Sequence, residues 1–273
     1  MSTVQARIDR PSPPPKPWTR ERMIGWALVG IWVLLFISLA LWMIAGWNPD
    51  LFDRYYPKYV SGLIVTLKLV AASIILGALL SFPLAMMRMS KNRIINGIAY
   101  AYVYFFRGTP LLAQTFLIYY GLGEFRPQLE SVGLWAFFKD AWNCGVFAFT
   151  LNTAAYQAEI LRGAIISVAP GQWEGAASLG LPKWITFFKV ILPQALVVAL
   201  RPYGNEIILM IKGSAVVAII TVYDLMGETR RAYARSFDFQ TYIWAAFIYL
   251  IIVEMIRNLW DAMEKRLTRY LVR

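Results

Sequence analysis

Between Met23 and Gly46 the chain runs for 24 residues without a charged side chain. At 1.5 Å of rise per residue such a run makes a helix about 36 Å long, enough to cross a hydrocarbon core of about 30 Å. In lipid every backbone N–H and C=O must be satisfied within the segment, so a run of this kind specifies a helix. It is too long for the apolar core of a cleavable signal peptide, about 7 to 15 residues, and no small-residue cleavage site follows, so the segment is expected to remain as an anchor.

The rest of the chain fits the same solvent. Of 273 residues 59% are hydrophobic and 16% charged, and the mean hydropathy is +0.52, too apolar for an ordinary soluble domain. Further apolar segments lie at about 59–87, 94–122, 143–168, 193–222 and 239–260, giving roughly six transmembrane helices and an all-α integral membrane fold. The net charge of +11 does not indicate nucleic acid, because the basic residues fall between apolar segments. One cysteine, Cys144, excludes an internal disulfide, and the absence of histidine removes the commonest metal ligand. No metal site and no cofactor is expected.

Positive residues concentrate before the first segment, at Arg88, Lys91 and Arg93, at Arg162, Lys183 and Lys189, and from Lys265 to Arg273. The positive-inside rule places those loops and both termini in the cytoplasm, although the last outward loop, with Arg230, Arg231 and Arg235, follows the rule only weakly. Residues 1–22, with a Pro-rich run at Pro11–Pro17, are expected to be a disordered cytoplasmic tail, and 263–273 a basic one. Trp42, Trp47, Tyr55, Tyr56, Tyr119 and Tyr120 sit near segment ends, where aromatic belts anchor spans.

Within the third segment, Arg107-Gly108-Thr109-Pro110 interrupts the pattern. Thr109 suits an N-cap and Pro110 a first helical position, so either a span begins there after an interfacial elbow, or one helix is kinked.

The loop after the fourth segment reads Gly171-Gln172-Trp173-Glu174-Gly175-Ala176-Ala177-Ser178-Leu179-Gly180-Leu181-Pro182 and continues to Val190-Ile191-Leu192-Pro193. It is too polar to span. Gly175, Ala176 and Ala177 permit close approach of another backbone, Gly180 suits a left-handed helix end, and Pro182 prevents continuation. On composition alone this is a short surface helix, and most such helices are connectors.

The spacing resembles the signature loop of binding-protein-dependent ABC importer permeases, in which Glu-Ala-Ala is followed after three residues by Gly and after nine more by Ile-x-Leu-Pro. Glu174, Ala176, Gly180, Leu192 and Pro193 match, with Gly175 in place of the first Ala and Val190 in place of the Ile. Phe106–Leu111, Leu151–Tyr156, Asn205–Met210 and Asp261–Leu267 are similar to the polar amino-acid branch, of the histidine, lysine, arginine and ornithine type or the opine type. The likeness covers about Ser61 to Leu267, so residues 23–58 look like an additional N-terminal helix and outer loop, and 59–262 like the importer transmembrane domain.

That resemblance implies a type I permease core with a cytoplasmic coupling helix, in which Glu174, Gly175, Ala176 and Gly180 face a separate ATPase. It also implies a pair of ATPase subunits, a periplasmic amino-acid-binding protein, a second permease subunit and a bacterial inner membrane. The chain has no GxxxxGK[ST] loop to hold ATP, and it is not expected to be an enzyme.

The fifth segment contains Arg201, Glu206 and Lys212, and a charge at mid-bilayer costs about 2.5 to 3.5 kcal/mol on insertion scales. On a helix Glu206 stands apart from both cations. It is a counter-charge for a cationic substrate, or it pairs between helices with Lys68, Arg107 or Arg162, or it stays solvated; the resemblance favours Asn205 and Glu206 as substrate contacts. Glu159 and Arg162 can pair on one helix face and, with Arg107, are candidates for gating. Lys68 is placed to snorkel outward. The rival functions are a self-sufficient secondary transporter coupled through Glu206, and a membrane scaffold that moves nothing.

Overall fold

The computed structural model describes residues 19–269, all of whose regular structure is helical. The expectations for 1–18 and 270–273 lie outside the described residues. The chain divides into two units, Met1–Pro49 and Asp50–Arg273.

In the first unit, α1 spans Arg20–Ala45. It begins three residues earlier than the uncharged run, because Thr19 accepts a hydrogen bond from the Arg22 N–H at 3.3 Å and Glu21 sits in the first turn, where the helix dipole favours an acid. None of its residues is buried, and large apolar side chains such as Trp32, Leu34 and Phe36 are exposed around it. A helix that is apolar and exposed on all sides is matched to lipid.

The second unit opens with α2, Pro49–Arg88. Next come α3, Arg93–Gly108, and α4, Leu111–Phe116, which runs into a π-helical turn at Leu117–Gly121 and a 3-10 turn at Leu122–Phe125. Two short helices, α5 (Arg126–Ser131) and α6 (Trp135–Phe138), lead to α7, Ala141–Ser167. After α8, Pro170–Ser178, a continuous rod forms from α9 (Lys183–Ile185), a π-helical turn (Thr186–Ile191), α10 (Leu192–Gly213) and a 3-10 stretch (Ser214–Ile220). The chain ends with α11, Leu225–Ser236, and α12, Gln240–Leu267.

Among the described residues four helical stretches are long and apolar enough to cross a membrane: Arg20–Ala45, Pro49–Arg88, Lys183–Ile220 and Gln240–Leu267. The 27-residue α7 and the broken α3–α4 pair bring the total to the six expected. α12 outruns the expected segment end near 260, because the charged helix formers Glu264, Lys265 and Arg266 continue its turns and Thr268 closes it on the Glu264 carbonyl at 2.8 Å.

α7 is the centre of the unit, packed against α10, α3 and α4. Two clusters form the core. One holds Leu69, Phe149, Met210, Ile211, Val217 and Ile220; the other is built on small residues, with Ala154, Ala158 and Ala164 of α7 against Ala195 and Ala199 of α10. Small side chains let helix backbones approach closely where no hydrophobic effect drives association. Tyr55 departs from the expected belt: it is 2% exposed and packs inside, while Trp42, Trp47 and Tyr56 remain exposed.

The turn into α11 is pinned by close backbone contact. Asp224 caps α11 through the Gly227 N–H at 2.8 Å, and the Leu225 N–H donates to Thr66 Oγ1 of α2 at 3.1 Å. A Cβ on Gly62 would lie 2.8 Å from the Asp224 carbonyl oxygen and 3.1 Å from the Leu225 Cα. Backbone atoms on the opposing side cannot swing away, so Gly62→Ala is expected to destabilise by about 1 to 3 kcal/mol. The readout is a lower thermal midpoint of the purified protein in detergent, with Gly163→Ala as the control, since a Cβ there meets nothing within 4 Å. Equal midpoints for the two variants would show that the α2–α11 contact gives way freely.

Candidate functional site

Helix α3 stops because Pro110 lacks the N–H that would continue the ladder. Thr109 was expected to cap the following helix, but it closes the preceding one: its hydroxyl donates to the Phe105 carbonyl at 2.8 Å, and its backbone is extended. The carbonyls freed by the break are taken up by side chains. Gln114 Nε2 donates to Phe106 O at 2.9 Å, Thr109 O at 3.1 Å and Thr109 Oγ1 at 2.8 Å, and Asn152 Nδ2 of α7 donates to Phe106 O at 3.0 Å and to Gln114 Oε1 at 2.9 Å. Irregular backbone at membrane depth persists only where it is satisfied in this way.

One residue further along α7 the polar line reaches α10. Thr153 Oγ1 donates to Glu206 Oε1 at 2.8 Å and accepts from Gln157 Nε2 at 3.1 Å, and the same Gln157 amide donates to the Ile74 carbonyl of α2 at 3.2 Å. Glu206 is 5% exposed. No Lys or Arg among the described residues lies within salt-bridge distance of it, so the ion pairs proposed with Lys68, Arg107 or Arg162 are not formed. Asn205 does not share this place. One residue along the helix its side chain turns outward and is exposed, so the two residues expected to meet a substrate together face different ways.

The remaining cations of the span are accounted for at its surface. Arg201 is exposed and bonds Glu264 of α12 at 3.1 Å, and Lys212 and Lys68 are exposed. Arg107 is also exposed, with its guanidinium 5.2 Å from the centre of the Tyr156 ring.

At the other end of α7, Glu159 pairs with Arg162 at 2.7 Å as the three-residue spacing requires, and also with Arg88 of α2 at 2.9 Å. Arg88 donates to Asn96 Oδ1 of α3 at 2.8 Å, Asn96 Nδ2 donates back to the Arg88 carbonyl at 2.6 Å, and the Arg88 guanidinium lies 5.0 Å from the centre of the Tyr100 ring. The carboxylate ties α7 to α2, and Arg88 in turn ties α2 to α3, at the end of the unit that carries Lys91 and Arg93.

Helix α8 stands at the same end. Its terminus is a Schellman closure: the Gly180 N–H reaches Ala177 O at 2.9 Å, the Leu181 N–H reaches Ala176 O at 3.1 Å, and Gly180 is left-handed with φ +69°. Glu174, Gly175 and Gly180 are exposed, and a Cβ on Gly175 would meet nothing within 4 Å, so the departure from Ala there leaves the packing of this chain unchanged. Ala176 corrects the expectation of an outward docking surface: it is 5% exposed and seats α8 in its own chain, where the helix packs on the π-helical turn Thr186–Ile191. An apolar cavity of about 510 Å³ opens beside α8, with Met86, Met89, Trp173 and Phe187 in its wall and Glu174 as its acidic member.

Sequence reasoning gave no site role to Gln114 or Gln157, used Arg88 only for topology, and met Asn152 and Thr153 only within the Leu151–Tyr156 likeness. Three polar residues at 152, 153 and 157, on neighbouring faces of an otherwise apolar segment, were the available signal for the buried line.

Residues 73–269 match the family described as binding-protein-dependent transport system inner membrane component. The chain is 42% identical over 205 residues to the nopaline transport system permease protein NocM of Agrobacterium fabrum, covering 75% of this chain and 85% of that one. It is 37% identical over 221 residues to the arginine ABC transporter permease protein ArtM of Haemophilus influenzae, covering 81% and 96%. Among solved structures, an amino acid ABC transporter with histidines superposes with a TM-score of 0.71 at 37% identity, over 79% of this chain and 96% of that one.

Proposed function

The chain belongs to the binding-protein-dependent transport system inner membrane component family, and on that premise we propose that it carries a basic amino acid or an opine across the inner membrane, driven by ATP hydrolysis in a separate subunit. The observation that carries this reading is α8, a short helix with a closed terminus that presents Glu174, Gly175 and Gly180 outward at the basic end of the unit. The nopaline and arginine permeases among its relatives support the substrate class, since arginine carries a guanidinium and Glu206 is a buried carboxylate without a cationic partner among the described residues.

The parts take the following roles. Glu174, Gly175 and Gly180 contact the ATPase, with Ala176 seating the helix behind them. Glu206 is the counter-charge for the substrate and is reached when α7 and α10 part. Asn205, an amide exposed in mid-span where lipid contact is costly, lies on the face covered by a second permease subunit. Glu159 with Arg88 and Arg162 holds α2, α3 and α7 together on the cytoplasmic side, and Arg107 stands beside the helix break as a gating residue. Both termini are cytoplasmic. A pair of ATPases and a periplasmic binding protein bias the inward and outward states by binding them unequally.

The test is uptake of radiolabelled arginine, octopine and glutamine into proteoliposomes holding this chain with its co-purifying subunits and binding protein. ATP-dependent accumulation of arginine or octopine is the expected result. Accumulation driven by an ion gradient, by this chain alone, would restore the secondary-transporter reading, and no accumulation of any solute would restore the scaffold.

A further inference from the structure

At the turn between α2 and α3 an open cavity of about 400 Å³ is lined by Ser90, Lys91, Arg93, Asn96, Gly97 and Tyr100. Lys91 and Arg93 are exposed and have no acidic partner among the described residues. The Ile94 and Ile95 N–H groups in the first turn of α3 are not available to a ligand, because Asn92 Oδ1 already accepts from both. Whatever enters the cavity is met by side-chain cations and hydroxyls.

The helix continues this cavity as a stripe. Arg93, Gly97, Tyr100 and Tyr104 recur at four, seven and eleven residues, one face of a helix. Gly97 leaves open space, since a Cβ there meets nothing within 4 Å. Tyr100 and Tyr104 stack with ring centres 5.9 Å apart and are 52% and 70% exposed. Ile94 and Ile98 flank the stripe at 74% and 60% exposure. A pocket with two unpaired cations that opens onto an exposed aromatic and aliphatic helix face complements an anionic amphiphile, with its charge in the pocket and its chains along the helix.

We propose that this cavity binds the phosphate of an anionic phospholipid headgroup in the cytoplasmic leaflet, with the acyl chains lying along α3. Lys91 and Arg93 neutralise the phosphodiester, Ser90 donates a hydrogen bond, and Tyr100 and Tyr104 sit at headgroup depth. Asn96 and Tyr100 also hold Arg88, so an occupied site braces the Glu159–Arg88 tie between α2 and α7. The proposal rests on the membrane-embedded fold and is independent of the substrate.

The experiment is a native mass spectrometry titration of the purified complex, in detergent, with phosphatidylglycerol and with phosphatidylcholine, comparing the natural chain with Lys91→Gln, Arg93→Gln and the double variant. Phosphatidylglycerol is expected to bind in preference to phosphatidylcholine, weakening about fivefold for each cation removed and on the order of twenty-fivefold for both. Unchanged phosphatidylglycerol binding in the double variant overturns the assignment. Displacement of the lipid by inorganic phosphate at equal concentration overturns it too, making this a site for free anions. So does a double variant that keeps the lipid but sheds its ATPase, making the surface a protein contact.

Discussion

Glu174→Lys is expected to abolish ATP-driven uptake while leaving the protein inserted and folded. The side chain is exposed on α8 and belongs to none of the ion pairs among the described residues. Lys and Glu have nearly equal helix propensity, and the Schellman closure at Gly180 does not involve the substituted side chain, so α8 should form as before. On the proposed coupling role, what changes is the sign of the charge offered to the ATPase. Misplacing a charge in a docked interface costs about 2 to 5 kcal/mol, which is thirtyfold or more in affinity. Uptake should fall by at least that factor, together with the stimulation of ATP hydrolysis by loaded binding protein. The thermal midpoint of the permease should stay where it was. Glu174→Gln, which removes the charge without reversing it, should give an intermediate loss. Normal uptake in both variants would detach Glu174 from coupling, and a lowered midpoint would show that the residue supports its own chain.

What the sequence made legible divides along a physical line. Long-range solvent matching is written in composition: α1 follows from an uncharged run, α12 from an apolar run at its N-terminal half, and α8 from a polar loop with Gly180 and Pro182 at its end. Contacts between residues far apart in the chain are not. Glu159 and Arg162 were paired by spacing, but Arg88 lies 71 residues from Glu159 and only packing of α2 on α7 brings them together. Neutral amides also escaped notice, because the cost of burying a charge draws attention to Glu206 and not to Gln114 or Asn152, which satisfy the break at Pro110. The direction of a side chain was the third blind spot. Asn205 and Glu206 adjoin in sequence, yet a helix turns by about 100° between neighbours, and that rotation carries one outward and the other into the bundle. The same rotation turns Ala176 inward while Gly175 stays exposed.

Glu206→Gln should separate cationic from neutral substrates. The substitution keeps the size and shape of the side chain, and the amide oxygen can still accept the hydrogen bond that Thr153 Oγ1 makes at 2.8 Å, so the α7–α10 packing around Ala154, Ala158 and Ala199 is retained. Only the negative charge is lost. Hydrogen bonds to charged groups contribute about 1.5 to 3 kcal/mol, so arginine should bind the solubilised complex roughly ten- to a hundredfold more weakly, while glutamine is affected less than about twofold. The companion variant Thr153→Ala leaves the carboxylate in place but removes its hydrogen bond, and it should alter both substrates to the same small extent. A parallel fall for arginine and glutamine in Glu206→Gln would mean that the residue holds α7 to α10 and does not select charge. The carboxylate is 5% exposed in this state, so the proposed substrate role requires α7 and α10 to part before substrate reaches it. A cysteine at position 206 should therefore react with a small thiol reagent only when the complex turns over ATP, with Cys144, which is fully buried, silent under both conditions.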